Sequence, residues 1–255
     1  MALKVPGEAR SYMAALSLTF DDGLDSHLQI AIPELDRRNL RGTFYLNPRG
    51  ADDPDSPSGW RRALTRWLPA SQTGHEMGNH TLTHPCSLNS KLEWTPQHLS
   101  RMTLDEIALN LDEAQHRLQM AFPHQALISF AYPCYESDIG YGAQRTSYVP
   151  LVARRFVAGR ARGELPNQPG WCDLHHLSSW NVERMSAGQM IALVKETLAR
   201  QGWGIFTFHG IDEGHLPVTV KNFTALLDHL ARLREQLWIA PVAEVAASLA
   251  GSGSS

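Results

Sequence analysis

The chain has 255 residues, a formal net charge of −3, a pI near 6.4 and 43% hydrophobic residues. That is enough apolar material for one large α/β domain, and the absence of a basic stripe or charge block excludes nucleic acid and an anionic membrane surface as partners. No stretch approaches the roughly 18–20 apolar residues that span a bilayer, and Met1 to Arg10 lacks a basic-then-apolar signal pattern, so localisation stays open.

In chain order, apolar runs alternate with segments of helical period, the pattern of a parallel sheet or barrel covered by helices. Strands are predicted at Tyr12–Phe20, Gly42–Leu46, Glu76–Asn79, Leu127–Ala131, Arg155–Ala158, Leu177–Trp180, Trp203–Phe208 and Trp238–Ala240. Helices are predicted at Ser26–Arg38, Arg61–Ala70, Thr103–Ala121, Ala187–Arg200, Val220–Gln236 and Val242–Leu249. Ser26 can cap the first helix, Thr103 with Glu106 forms a capping box, and Gly202 ends the helix before Trp203. Two long loops, Asn47 to Gly59 and Arg160 to Cys172, suit a substrate groove, with Trp60 and Trp171 beside them as stacking candidates ahead of Trp67, Trp94 and Trp180. Residues 1–250 read as a single domain, and Gly251–Ser255 as a flexible tail or cloning scar.

Cys86, Cys134 and Cys172 are odd in number and show no CxxC spacing, so they read as buried or idle thiols rather than a disulfide framework. The chemistry concentrates elsewhere. Thr19-Phe20-Asp21-Asp22-Gly23 closes an apolar strand, with Gly23 turning the chain away; two adjacent acids there need something to compensate their charge. His80-Thr81-Leu82-Thr83-His84 places two imidazoles four apart, on one face of a helical turn that Pro85 cuts short. Two carboxylates and two imidazoles make the ligand set of a catalytic zinc-type centre with one carboxylate left as base. A third strand, Trp203–Phe208, ends in His209-Gly210, which puts an imidazole able to carry a proton near neutral pH on the same rim.

These segments, with Gly74-His-Glu-Met-Gly-Asn-His-Thr-Leu-Thr-His-Pro85 read in full, resemble the polysaccharide deacetylases of the NodB-homology type, carbohydrate esterase family 4, from about Ala14 to Leu249. The resemblance implies a distorted (β/α) barrel with one divalent metal, most often Zn²⁺, at its open end. It implies Asp22, His80 and His84 as metal ligands, Asp21 as base, His209 as acid and the backbone amide of Cys134 as oxyanion donor. The substrate class it implies is an acetylated carbohydrate, with N- or O-acetyl groups both open. The chain departs from the family twice. Ala131 stands where the family has an arginine that orients the base, and no Asp-rich partner motif is evident in His176-Leu-Ser-Ser-Trp180. Arg160, at another predicted strand end, is the candidate replacement, and Tyr135 and Trp171 are further candidates for the substrate or base-orienting surface. Hydrolysis of another C–N bond, or a silent carbohydrate-binding relative on the same fold, are the alternative functions.

Overall fold

The computed structural model describes residues 3–4, 11–51, 59–87 and 98–252. Its sheet consists of β1 (Ala15–Asp21), β2 (Thr43–Leu46), β3 (Glu76–Asn79), β4 (Phe130–Ala131), β5 (Gly159–Arg160), β6 (Trp180–Asn181), β7 (Trp203–Phe208) and β8 (Trp238–Ile239). The order is β6-β7-β1-β2-β3-β4-β5, every pair is parallel, and β8 joins the start of β1 at Ala15 and Leu16. Ala161 N–H donates to Leu177 O (2.8 Å) and Gly163 N–H to Ser179 O (3.0 Å), which carries the hydrogen bonding from β5 into the segment before β6. The sheet therefore curls round into the distorted (β/α) barrel that the sequence predicts.

The two faces of β1 explain the architecture. Leu16, Leu18 and Phe20 pack outward with Phe44, Phe206 and Phe208 under the covering helices, where Leu226, Leu227 and Leu230 complete the core. Ser17, Thr19 and Asp21, the alternate residues, are equally buried but polar: Ser17 Oγ donates to Ala240 O and Thr19 Oγ1 to Phe206 O, both at 2.8 Å. The barrel interior is thus hydrogen-bonded rather than oily, and this puts ionisable groups within reach of its open end. Gly78 belongs to the same logic, because a Cβ there would stand 2.4 Å from the Tyr45 ring that fills the barrel.

The helices are α1 (Ile32–Arg37), α2 (Trp60–Thr65), α3 (Leu68–Gln72), α4 (Leu104–Ala121), α5 (Val149–Ala153), α6 (Ala187–Ala199), α7 (Val220–Leu233) and α8 (Val242–Ser252). The Thr103–Glu106 capping box forms as predicted, with the Glu106 N–H on Thr103 Oγ1 at 3.2 Å and the Thr103 N–H on Glu106 Oε2 at 2.7 Å. Ser26 does not cap: a wide π-turn, His27–Ala31, precedes α1, and Ser26 Oγ instead accepts from the Ile211 N–H at 3.1 Å. The segment predicted as one helix over Arg61–Ala70 splits, because Pro69 lacks a donor and its ring excludes the carbonyl four residues back. At the end of α6 the left-handed residue is Gln201 (φ 51°), one position before the predicted Gly202. The fifth predicted strand lies further on, at Gly159–Arg160, and α8 runs through Ser252 into the predicted tail. Among the described residues no helix is long and apolar enough to cross a membrane.

Glu76 is the buried hinge of the lower barrel. Its carboxylate accepts from Thr43 Oγ1 (2.8 Å), Ser129 N (2.7 Å), Ser129 Oγ (2.7 Å) and the Ala243 N–H of α8 (3.0 Å), while burial pushes its pKa up. Glu76→Ala strands those four donors in the interior, so it should cost about 3–5 kcal/mol of stability. Chemical denaturation would show it, and a loss below about 1 kcal/mol would contradict this account.

Candidate active site

Four strand ends converge at one rim. β1 delivers Asp21, and Asp22 (φ 74°) with Gly23 (φ 62°) then bends the chain away. β3 delivers His80 and His84, but not on the helical turn that the four-residue spacing suggests. Thr81 (φ 65°) and His84 (φ 54°) are left-handed, and side chains hold the segment instead: the Thr81 N–H donates to Asn79 Oδ1 (2.8 Å), the His84 N–H to Thr81 Oγ1 (2.9 Å) and the Leu82 N–H to Asn110 Oδ1 of α4 (2.8 Å). β5 supplies Arg160 and β7 supplies His209.

The two neighbouring aspartates face different partners. Asp22 Oδ1 stands 3.4 Å from His84 Nε2 and 3.7 Å from His80 Nε2, the edge lengths of a site whose ligands lie about 2.1 Å from a small divalent ion. His80 Nδ1–H donates to Ala131 O at 2.8 Å, which fixes the tautomer and leaves the Nε2 lone pair in the site. The donor chemistry and the spacing thus fit the implied metal. Asp21 instead receives both hydrogen bonds of one Arg160 nitrogen, Nη2 to Oδ1 at 2.8 Å and to Oδ2 at 2.7 Å, and its Oδ2 lies 3.9 Å from His80 Nε2. Arg160, whose side chain is 0% exposed, also donates from Nη1 to Thr207 Oγ1 (2.9 Å) and lies between the rings of Tyr45 and Tyr135 at 5.1 and 5.4 Å. Arg160 is the register partner of Ala131 on the next strand, and from there its guanidinium reaches Asp21.

Electrostatics follow from this burial. Desolvation would raise the Asp21 pKa, but Arg160, His80 and His209 outweigh it and hold the carboxyl below its ordinary range. Desolvation pushes His80 and His84 down to about 4 despite the nearby Asp21, so both imidazoles are neutral and ready to ligate at neutral pH. Because unfolding returns them to about 6.5, the metal-free protein is most stable, as far as these groups are concerned, above that pH and loses stability as the pH falls toward about 4. Thermal unfolding of metal-free protein across that window should show a falling Tm; a flat profile would contradict the burial argument.

Asp21, His80, His84, Cys134, Tyr135 and His209 line one cavity of about 250 Å³, with Glu183 and His215 completing its polar wall. Glu183, Tyr45, Thr207 and His27 escape sequence reasoning. Glu183 Oε1 lies 3.5 Å from His209 Nδ1, and His27 Nε2 reaches His209 O at 2.7 Å. A single acid two residues past Trp180-Asn181 carries no motif, though it lies just after a strand end, where the other site residues are also found. Trp171 is 83% exposed and belongs to a different cavity, with Glu164, Asn167 and Arg200. Asn167 pairs with Trp203, at the start of β7, about six residues and roughly 20 Å of strand from His209. Trp60 is also removed from the groove: it is buried in the core under the Arg117 guanidinium. Trp94 and residues 52–58 of the first long loop lie outside the described residues.

The thiol reading of the cysteines is corrected. Cys86 and Cys134 form a disulfide with their Cα atoms 5.8 Å apart, and Cys172 alone is free. The bridge spans 48 residues and ties the segment after His84 to the loop carrying Cys134, whose φ of 52° is followed by 61° at Tyr135. A pairing set by tertiary proximity leaves no trace in spacing.

Comparison with known proteins agrees with the fold. A structure described as a putative polysaccharide deacetylase from Mycobacterium smegmatis matches over 98% of this chain and 96% of its own, at 13% identity and a TM-score of 0.61. A family 4 acetyl xylan esterase from Clostridium thermocellum, in complex with a cobalt ion, matches over 91% and 89%, at 19% identity and TM-score 0.53. A CE4 family pseudoenzyme from Bacillus anthracis matches over 91% and 65%, at 15% identity and TM-score 0.55. Comparison with curated proteins gives no match. The family model for polysaccharide deacetylases matches residues 12–148, more than half of the chain and the part that carries both aspartates, both rim histidines and the Cys134 loop. The chain belongs to the polysaccharide deacetylase family.

Proposed function

We propose that the protein is a metal-dependent hydrolase that releases acetyl groups from an acetylated carbohydrate. The observation that carries this reading is the division between the two aspartates, with Asp22 set among imidazole nitrogens at 3.4 and 3.7 Å and Asp21 held by Arg160 at the edge of that set. Asp22, His80 and His84 would hold one divalent ion, Zn²⁺ best suiting two imidazoles and a carboxylate, and the ion would supply Lewis acidity toward a water and the acetyl carbonyl. Asp21 takes the proton of the attacking water, and Arg160 keeps its carboxylate ionised and aimed. The Cys134 N–H donates to the oxygen on which charge develops. His209 gives its proton to the departing sugar nitrogen or oxygen, and the Glu183 carboxylate stands 3.5 Å from its Nδ1.

A small cavity open at the barrel end suits an acetyl group and the ring that bears it, with the rest of a glycan outside. A relative of the same fold is a pseudoenzyme, so the fold does not carry catalysis by itself. The retained base, acid and donor set favour activity here. The test is acetate release by zinc-reconstituted protein from a panel of N- and O-acetylated glycans, together with zinc affinity. Release from at least one member, and loss of tight zinc binding in His80→Ala and His84→Ala, are expected. Normal zinc binding with no acetate from any member would overturn the deacetylase reading, and zinc binding that survives both substitutions would overturn the ligand set.

A further inference from the structure

The disulfide lies against the metal-binding rim, and the two share a residue. Cys86 Sγ is 3.6 Å from His84 Nδ1, on the opposite side of the ring from the Nε2 that faces Asp22 at 3.4 Å. One ligand atom each from His84, Cys86 and Cys134 lie within 4.8 Å of one another. A tetrahedral zinc-type ion with Zn–S of about 2.3 Å and Zn–N of about 2.0–2.1 Å has an S···N edge of about 3.6 Å, so the sulfur and nitrogen already stand at ligand spacing. Only the S–S bond keeps the two sulfurs from serving.

We infer that reduction of the Cys86–Cys134 disulfide creates a second metal-binding set, Cys86 Sγ, Cys134 Sγ and His84 Nδ1, selective for soft divalent cations such as Zn²⁺ and Cd²⁺. A dithiol reductant supplies two electrons and two protons: the S–S bond breaks, two thiols form, and the reductant closes to its own disulfide. Binding of the cation then displaces both thiol protons, because the thiolate is the ligand. Soft thiolates distinguish this set from the carboxylate-containing one.

The two sets exclude one another at His84. A neutral imidazole offers one lone pair, at Nδ1 or at Nε2. With Nδ1 metallated, the proton sits on Nε2 and His84 is lost to the Asp22–His80 set. The reduced protein therefore moves its cation from the proposed catalytic position to a thiolate position, and oxidation returns it. This consequence for activity rests on the deacetylase reading; the existence of the second set does not.

The experiment is a cadmium titration of metal-free protein, oxidised and dithiol-reduced, read by the ultraviolet thiolate-to-cadmium charge-transfer band. In the Cys172→Ser background, the reduced protein should show the band saturating at one cadmium per chain, and the oxidised protein, which then holds no free thiol, should lack it. In the same background Cys86→Ser and Cys134→Ser should lose most of the band, and His84→Ala should weaken cadmium binding by roughly tenfold or more. That last variant distinguishes the folded set from thiols in an unfolded chain, whose affinity would not depend on His84. No band after reduction, a band unchanged in Cys134→Ser, or an affinity indifferent to His84→Ala would each overturn the inference. If acetate release by zinc-loaded protein is absent in both redox states while the band appears as described, the deacetylase reading fails and the second metal set stands.

Discussion

Asp21→Asn should lower acetate release by about 10²–10⁴-fold while zinc affinity stays within a few-fold, and Asp22→Asn should do the reverse in kind by weakening zinc binding itself. The expectation rests on geometry between adjacent residues. Asp21 is buried and takes two hydrogen bonds from Arg160, whereas Asp22 is partly open and stands among imidazole nitrogens. Asparagine at position 21 keeps the shape and one acceptor but has no basicity to take a proton from water. It also leaves the Arg160 guanidinium buried without a counter-charge, so the variant should be less stable by a few kcal/mol, and its turnover must be compared at a temperature where it is folded. Equal zinc affinities in Asp22→Asn and the parent, or substantial turnover by folded Asp21→Asn, would refute the assignment.

Arg160→Ala carries the second large effect, and on both axes. Removing a fully buried guanidinium leaves Asp21 desolvated and unpaired, a situation that costs about 3–5 kcal/mol. Without Arg160 the burial that raises the Asp21 pKa is opposed mainly by His80 and His209, so its carboxyl should rise and the acid limb of the pH–rate profile should move to higher pH. A merely structural role would lower the amount of folded enzyme without moving that limb. Arg162→Ala, an exposed neighbour, should change little. Equal losses at the two positions would sink the special role of Arg160.

The contrast between what sequence reveals and what it conceals is visible around this pair. Asp21, Asp22, His80, His84 and His209 can be named from the chain because each stands in a short contiguous segment where apolar strand gives way to polar chemistry. The structure brings all five to one rim. Arg160 could be suggested only as a gap to fill, since nothing local says which strand end a guanidinium will cross to reach. Tyr45, Thr207 and Glu183 were illegible because each is a lone residue whose partner is more than twenty positions away; Tyr45 reads as strand core until Gly78 is seen to make room for it. The helix boundaries that failed did so where side chains replaced the expected local bond, as at Ser26, or where proline broke a continuous pattern, as at Pro69. The two histidines do come together, but not on the helical turn that their spacing suggests, because Asn79 and Asn110 shape the turn by hydrogen bonds that a four-residue period does not encode.

Asp22, Thr81, His84, Cys134 and Tyr135, all at the rim, are five of the nine non-glycine residues with positive φ among the described residues. Each such conformation costs on the order of 1 kcal/mol relative to a relaxed backbone. The geometry of the rim and the stability of the fold therefore pull in opposite directions at the same few positions. Glycine at Thr81 or Tyr135 removes that strain only by giving up the hydroxyl that holds the His84 N–H or the ring beside the Arg160 guanidinium. A search for stabilised variants that attends only to thermal robustness will therefore drift toward barrels whose rim has lost these contacts.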